Sequence, residues 1–231
     1  MKSAVRVIFI CCAGLVLLLP GLYAAGKAKS VLDYYRLLMP EMLDGTRFEF
    51  TKKGTAWKTT SPITEAELDC TVDLKNGYME VSDPGTGGGT LTQEMALFIN
   101  KMRESFMGVN ITTFDGIGVS NRCRFYRWTG DGWAVARVLP DIPLVQFFKP
   151  GFDFSSVKGS VSLLYALPRK GTTVIAKLDV SRLRMMMSDN MGFGPEDQKK
   201  AKQAMEHVAF NSVELNWDMD RSVFIVGKML E

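Results

Sequence analysis

Short turns between segments of alternating apolar and polar residues recur along this chain, and they constrain its fold more than any other feature. Residues 68–74 alternate in this way, and Asn76-Gly77 follows them. Both turn residues tolerate a positive φ, so the dipeptide predicts a tight β-hairpin that residues 78–81 complete. Three further turn sequences separate paired apolar segments: residues 129–132, 168–171 and 218–221. The chain is therefore expected to fold mainly from successive hairpins.

Two segments predict helices beside these hairpins. Ser30 and Asp33 have the spacing of a capping box and open an N-terminal helix over residues 30–43, which Pro40 bends or divides. Pro195 lies in the first turn of a C-terminal helix over residues 195–208. This helix is inserted in a β-β-α-β-β unit. Because no long crossover helix requires parallel strands, we predict an α+β fold with a mostly antiparallel sheet.

Residues 91–106 admit two interpretations. Apolar side chains recur there with helical spacing: Leu91, Met95, Phe98, Met102 and Phe106. Apolar residues also alternate at positions 95, 97 and 99, and residues 100–105 suit the loop of a hairpin. A helix and a hairpin therefore both remain open for this segment.

A glycine-rich loop, residues 84–90, precedes this region. It lacks the GK[ST] ending of a phosphate-binding loop, so a nucleotide site is not expected. A mobile connector is the simplest interpretation, and a loop that covers a ligand is the alternative.

The first 25 residues have the pattern of a secretory signal peptide. Lys2 and Arg6 stand at the basic end, residues 7–19 form an uninterrupted apolar run, and Pro20-Gly21 ends it. Small residues follow, so we place the cleavage after residue 24 or 25. An uncleaved anchor is the alternative, but a membrane-spanning helix needs about 20 apolar residues. We therefore expect an exported protein, periplasmic or extracellular.

Removal of residues 1–25 leaves 206 of the 231 residues, enough for one large domain or two small ones. The candidate boundary at residues 149–151 divides an N-terminal half, 26–150, from a C-terminal half, 151–231. Of the 28 basic residues, two lie in the signal segment, so 26 basic residues face 25 acidic ones in the remainder. This balance argues against nucleic-acid binding. No later apolar run is long enough to span a membrane, so the mature protein is expected to be soluble.

Two cysteines, Cys70 and Cys123, remain outside the signal segment. They have one possible pairing, and both occupy apolar positions of predicted strands, so we predict a disulfide between them in an oxidising compartment. Two buried free thiols are the alternative. Since His207 is the single histidine and neither cysteine has a CxxC partner, no metal site and no cofactor are expected.

One face of a predicted strand carries the candidate ligand-binding residues: Arg122, Arg124, Tyr126 and Trp128. Guanidinium groups beside aromatic rings can hold an anionic or sugar-like ligand by charge-assisted hydrogen bonds and stacking. A solvent face, or a face covered by the other half, is the alternative, because aromatic cross-strand pairs also stabilise sheets by themselves. No catalytic set can be assembled around one histidine.

These patterns predict an exported, non-catalytic binding or interaction module whose partner is another protein or a component of the cell envelope. The alternative is a hydrolase that uses carboxylates in a cleft between the two halves. A structural envelope protein without a small ligand is the third possibility. Two or three close carboxylates in one pocket favour the hydrolase, whereas a groove lined by arginine and aromatic side chains favours binding.

Overall fold

The structure of the protein is a computed structural model that describes residues 29–188 and 191–231. The predicted signal peptide and its cleavage site lie outside the described residues. Among the residues that are described, no helix combines the length and the hydrophobicity needed to cross a membrane.

The larger of two antiparallel sheets contains eight strands from the described part of the chain. Each strand pairs with its neighbour in the sequence, so the order in the sheet is the order in the chain. The strands are β1 Thr51–Lys53, β2 Ala56–Thr60, β3 Glu67–Asp73, β4 Tyr78–Asp83, β5 Thr90–Ile99, β6 Ser105–Phe114, β7 Val119–Trp128 and β8 Trp133–Ala136. The expectation of a mostly antiparallel sheet is confirmed.

The smaller sheet follows residue 160 and has four strands in the order β12-β11-β10-β9. Its strands are β9 Ser162–Ala166, β10 Thr173–Asp179, β11 Ser212–Asp218 and β12 Val223–Leu230. Two helices lie between β10 and β11: α2, Ser181–Met186, and α3, Pro195–His207. The sequence predicted α3 and missed the shorter α2.

The N-terminal helix is shorter than predicted. The helix α1 covers Val31–Tyr35, and the capping box of Ser30 and Asp33 is formed as expected. A separate 3-10 helix, Pro40–Leu43, follows it. Proline begins this second turn because its fixed φ suits a first helical position and its missing N–H removes no helical hydrogen bond there.

The ambiguous segment at residues 91–106 is a hairpin. The strands β5 and β6 pair over their full lengths, from Thr90 opposite Phe114 to Ile99 opposite Ser105. Both faces of β5 bury apolar side chains, Met95 on one and Phe98 on the other. A strand that is buried on both faces loses a clean alternation, and its apolar residues then imitate helical spacing.

Each face of the large sheet has its own hydrophobic core. The inner face packs on the small sheet, where the rings of Phe98, Phe106 and Phe125 contact those of Trp217 and Phe224 at centroid distances of 5.1–5.7 Å. These five rings join the two sheets in one continuous apolar cluster.

The outer face is covered by the N-terminal segment, residues 30–50. Val31, Tyr35 and Leu43 from this segment pack with Met79 and Met95 of the sheet in a second apolar cluster. The N-terminal segment covers only part of the outer face. The candidate site lies where this segment ends.

Candidate functional site

The strand β7 presents all four predicted site residues on the outer face, but their surroundings differ. Tyr126 is 2% exposed and belongs to the core beneath α1. Trp128 packs against the rings of Tyr34 and Trp133, and the Nζ atom of Lys29 lies 4.0 Å from its ring centroid. The two aromatic residues therefore hold the N-terminal segment, and only the two arginines face solvent.

Arg122 and Arg124 both approach the carboxylate of Asp44. The Arg122 Nη1 atom contacts Asp44 Oδ1, and the Arg124 Nη1 atom lies 3.9 Å from the same oxygen. Asp44 ends the 3-10 helix in the left-handed conformation, with a φ of 52°, which directs its side chain toward β7. Two guanidinium groups and one carboxylate leave this group of side chains with a net charge of +1.

A cleft of about 440 Å³ opens beside Arg122, and we call it the Arg122 cleft. Side chains from three adjacent strands line its floor: Leu91 of β5, Ile111 and Thr113 of β6, and Ser120 and Arg122 of β7. The cleft lies at the edge of the N-terminal segment. Beyond this edge, the segment no longer covers the outer face of the sheet.

Three loops form the walls of the Arg122 cleft. The N-terminal segment supplies Leu43 and Thr46, the loop between β2 and β3 supplies Ile63, and the glycine-rich loop supplies Gly85 and Thr86. The glycine-rich loop, which was interpreted from the sequence as a mobile connector or a ligand cover, therefore lies at a cleft. Apolar walls with hydroxyl groups and one charged rim are typical of a small-molecule site.

Gln93 supports this cleft from within the outer core. Its side chain is fully buried, and its Nε2 atom donates a hydrogen bond of 2.7 Å to the carbonyl oxygen of Thr46. Among the described residues, its Oε1 atom has no hydrogen-bond partner. Sequence reasoning missed Gln93, although a polar residue between Leu91 and Met95 on an apolar face was a visible signal.

A second group of polar side chains, which we call the Glu94 cluster, lies on the inner face at the seam between the sheets. Glu80 and Glu94 stand directly opposite each other on β4 and β5. The hydroxyl of Tyr78 lies 2.9 Å from Glu80 Oε2 and 3.2 Å from Glu94 Oε1. Asn110 donates a hydrogen bond of 2.6 Å to Glu94 Oε2.

Burial dominates the electrostatics of the Glu94 cluster. It raises the pKa of Glu94, which the hydrogen bonds from Asn110 and Tyr78 only partly offset. Burial and the negative charge of Glu94 also raise the pKa of the Tyr78 hydroxyl. Because one hydroxyl has one proton, Tyr78 can donate to only one of the two carboxylates at a time. A proton on either carboxyl group would satisfy the second contact.

Asparagine side chains tie the small sheet to this cluster. Asn110 Nδ2 donates to the carbonyl oxygen of Tyr165 at 2.6 Å, and the N–H of Tyr165 donates to Asn121 Oδ1 at 2.9 Å. The Asn121 side chain in turn donates to Asn110 Oδ1 at 2.9 Å. Two side chains thus bind both backbone groups of one residue of β9, which fixes the position of the small sheet on the large one.

The structure contradicts the predicted disulfide, because Cys70 and Cys123 are free. Cys70 lies on β3 and packs in the outer core, whereas Cys123 lies on β7 and packs in the inner core. Three strands lie between β3 and β7, so these two strands are four inter-strand spacings apart, roughly 19 Å at about 4.8 Å per spacing. A disulfide requires Cα atoms within about 7 Å.

Burial raises the pKa of both thiols. For Cys123 the negative charge of Glu94 adds to this effect. Within the described parts of the chain, no three His, Cys, Asp or Glu side chains are grouped so that they hold a metal ion.

Comparisons with known proteins add one structural likeness. No protein-family model and no curated protein matches the chain. Among solved structures, the chain is similar to a domain of an uncharacterized protein from Porphyromonas gingivalis W83, with a TM-score of 0.46 and 12% sequence identity. The likeness covers 83% of this chain and 90% of that chain.

Proposed function

We propose that this protein is an exported, non-catalytic binding module that holds a small ligand in the Arg122 cleft. The observation that carries the proposal is a half-exposed guanidinium group at the rim of a cleft with largely apolar walls. Such a site binds an apolar body by burial and fixes its orientation with a few polar contacts. The ligand is a component of the cell envelope or of the medium outside the cell.

Export is part of this proposal and rests on the pattern of residues 1–25. Expression of the full-length chain in an exporting host, followed by the intact mass of the recovered protein, tests it. Loss of about 25 residues is the expected result. A full-length chain recovered from the membrane fraction contradicts cleavage and makes the protein an anchored one.

The sequence predicts two halves, residues 26–150 and 151–231. We propose that they fold as one unit, because the aromatic rings on both sides of the seam form one cluster. A single unfolding transition by circular dichroism and by tryptophan fluorescence is expected. Two separate transitions contradict this part of the proposal.

The binding function is tested by a thermal-shift screen of sugars, amino acids, organic anions and lipids against the exported protein. Compounds that raise the melting temperature are then titrated into two variants, Arg122→Ala and Arg127→Ala. Arg127 is a matched control: it lies on the same strand, its side chain is 50% exposed against 51% for Arg122, and it also pairs with one carboxylate. We expect the Arg122 variant alone to lose binding. Equal loss in both variants places the ligand elsewhere.

A second candidate function, a carboxylate-dependent hydrolase, is supported by the Glu94 cluster. Glu80 and Glu94 share one hydroxyl at the seam between the sheets, and burial raises the pKa of Glu94, as a general acid requires. A panel of chromogenic glycosides tests this candidate. Hydrolysis that disappears in both Glu80→Gln and Glu94→Gln supports it, and a wild-type protein inactive on the whole panel removes it.

A further inference from the structure

We infer that the ligand of the Arg122 cleft is an amphiphilic anion with a single apolar chain and one carboxylate or phosphate group, an inference that rests on the proposed function. The two parts of the ligand correspond to two parts of the site. The rim carries the charge, and the floor and walls carry the apolar surface.

The rim favours an anion. Arg122 lines the cleft beside Asp44, and the nearby Arg124, also permanently charged, brings these three side chains to a net charge of +1. A guanidinium group has five N–H donors, and within the described residues only the Nη1 atom of Arg122 contacts an acceptor. The remaining donors can bind a carboxylate or phosphate in the bidentate manner that arginine favours.

The interior favours an apolar chain. Leu43, Leu91, Ile111 and Phe114 line the cleft, and Ile63 stands at its wall with 57% of its surface exposed. An isoleucine this exposed buries apolar surface when an apolar chain lies against it. The cleft volume, about 440 Å³, lies near the lower end of the about 300–1,000 Å³ usual for ligand sites, which suits one chain better than two.

Asp44 has a distinct role in this site. Its carboxylate neutralises part of the Arg122 charge and repels an anion held by the remaining donors, so Asp44 competes electrostatically with the ligand. Replacement of Asp44 by asparagine removes the competing charge. Asparagine tolerates the left-handed conformation at this position, so the backbone at the end of the 3-10 helix is retained.

The test is isothermal titration of the exported protein with dodecanoate and dodecyl phosphate, below their micelle concentrations. Uncharged dodecyl maltoside, acetate and inorganic phosphate are the comparison ligands. We expect the two amphiphilic anions to bind about tenfold or more tightly than any of the three. Comparison of dodecanoate with dodecyl phosphate identifies the preferred headgroup.

Two variants that change the affinity in opposite directions distinguish an effect of charge from damage to the fold. Arg122→Ala is expected to weaken dodecanoate binding about tenfold, Asp44→Asn to strengthen it several-fold, and Arg127→Ala to leave it unchanged. An affinity for dodecyl maltoside equal to that for dodecanoate overturns the inference, as does an Asp44→Asn variant that binds dodecanoate more weakly than wild type.

The outcome also separates this inference from the proposed function. Arg122-dependent binding of a neutral or cationic compound, without binding of either amphiphilic anion, overturns the inference and leaves the proposed function standing. Absence of any Arg122-dependent ligand, with the variants folded, overturns both.

Discussion

The hydroxyl of Ser61 donates a hydrogen bond of 2.6 Å to the carboxylate of Asp83, and both side chains are buried. Asp83 also accepts a hydrogen bond of 2.8 Å from the N–H of Gly85. The Ser61 oxygen accepts the N–H groups of Ile63 and Thr64 at 3.1 and 2.9 Å. One buried pair thus connects the loop that carries Ile63 with the glycine-rich loop, and these loops are two walls of the Arg122 cleft.

Replacement of Ser61 by alanine should therefore destabilise the protein and loosen the cleft. The change removes the donor to a buried carboxylate and the acceptor of two N–H groups, which is expected to cost about 1–3 kcal/mol in the free energy of unfolding. Urea denaturation measures it. Ser82→Ala is the control, because the Ser82 hydroxyl is exposed and its loss should change stability by less than about 0.5 kcal/mol. Equal effects of the two variants contradict the role of Ser61.

The stability of the protein should depend on pH through Glu94. Burial raises its pKa in the folded state above the ordinary value of 4.5, so the folded protein binds this proton more tightly than the unfolded chain. The groups around it are Tyr78 and Glu80 of β4, Asn110 of β6, Cys123 of β7 and the N–H of Leu167. Its contribution to stability is full below the unfolded pKa and is lost as the pH rises through the folded pKa.

A Glu94→Gln variant isolates this effect. The stability of wild type relative to the variant should fall as the pH is raised from about 4 to about 8. The Lys53 hydrogen bond lowers the pKa of the exposed Glu67, so Glu67→Gln should give a small change of the opposite sign, lost as the pH falls. Urea denaturation at both pH values measures the free energy of unfolding of each protein. If wild type becomes more stable relative to Glu94→Gln as the pH rises, that result would falsify the assignment for Glu94.

The packing of the two sheets against each other should be disturbed by a methyl group added at Gly108. A Cβ atom at this position of β6 would lie 2.9 Å from a ring carbon of Phe125 and 3.3 Å from a methyl group of Leu167. The substitution Gly108→Ala therefore overpacks the seam, and a loss of about 1–3 kcal/mol is expected. Gly118→Ala is the matched control, since no other atom lies within 4 Å of its added Cβ. Comparable unfolding midpoints for the two variants argue against close packing at Gly108.

The thiols of Cys70 and Cys123 should both be free and should differ in reactivity. Cys70 borders a shallow surface pocket, whereas burial and Glu94 suppress the thiolate of Cys123. In native protein, an aromatic disulfide reagent is expected to modify Cys70 at least about tenfold faster, with both thiols reacting after unfolding. Cys70→Ala assigns the fast phase. A peptide that links the two cysteines in a non-reducing digest would contradict the free state of both thiols.

Local features of the fold were visible in the sequence. The turn predicted at Asn76-Gly77 lies within the four residues, 74–77, that join β3 to β4, and Gly77 has a positive φ of 67° whereas Asn76 does not. The turns at residues 129–132, 168–171 and 218–221 also lie between paired strands. These positions were predictable because turn geometry depends on a few adjacent residues.

The errors arise from the two cores of the large sheet. Alternation correctly separates Cys123 from Arg122 on β7, but it does not say which core a buried side chain enters. The sequence pattern predicts that Cys70 and Cys123 are both core residues, but they lie on opposite faces of the large sheet. Tyr126 and Trp128 share a face with the arginines. The N-terminal segment covers these two aromatic residues, and its position on the sheet cannot be read from the sequence of β7. The Arg122 cleft is formed by five separate segments of the chain, so no local sequence pattern could have predicted it.

The order of the strands also bears on how the chain is made. Each strand of the large sheet pairs with the one before it, and the N-terminal segment that covers the outer face precedes them all. During synthesis, the outer core can therefore close hairpin by hairpin as β4 to β7 emerge. The inner face has to wait for the last strands, β11 and β12. Its aromatic rings are the surface that a nascent chain exposes longest, and the surface where a chaperone or a misfolded neighbour would bind first.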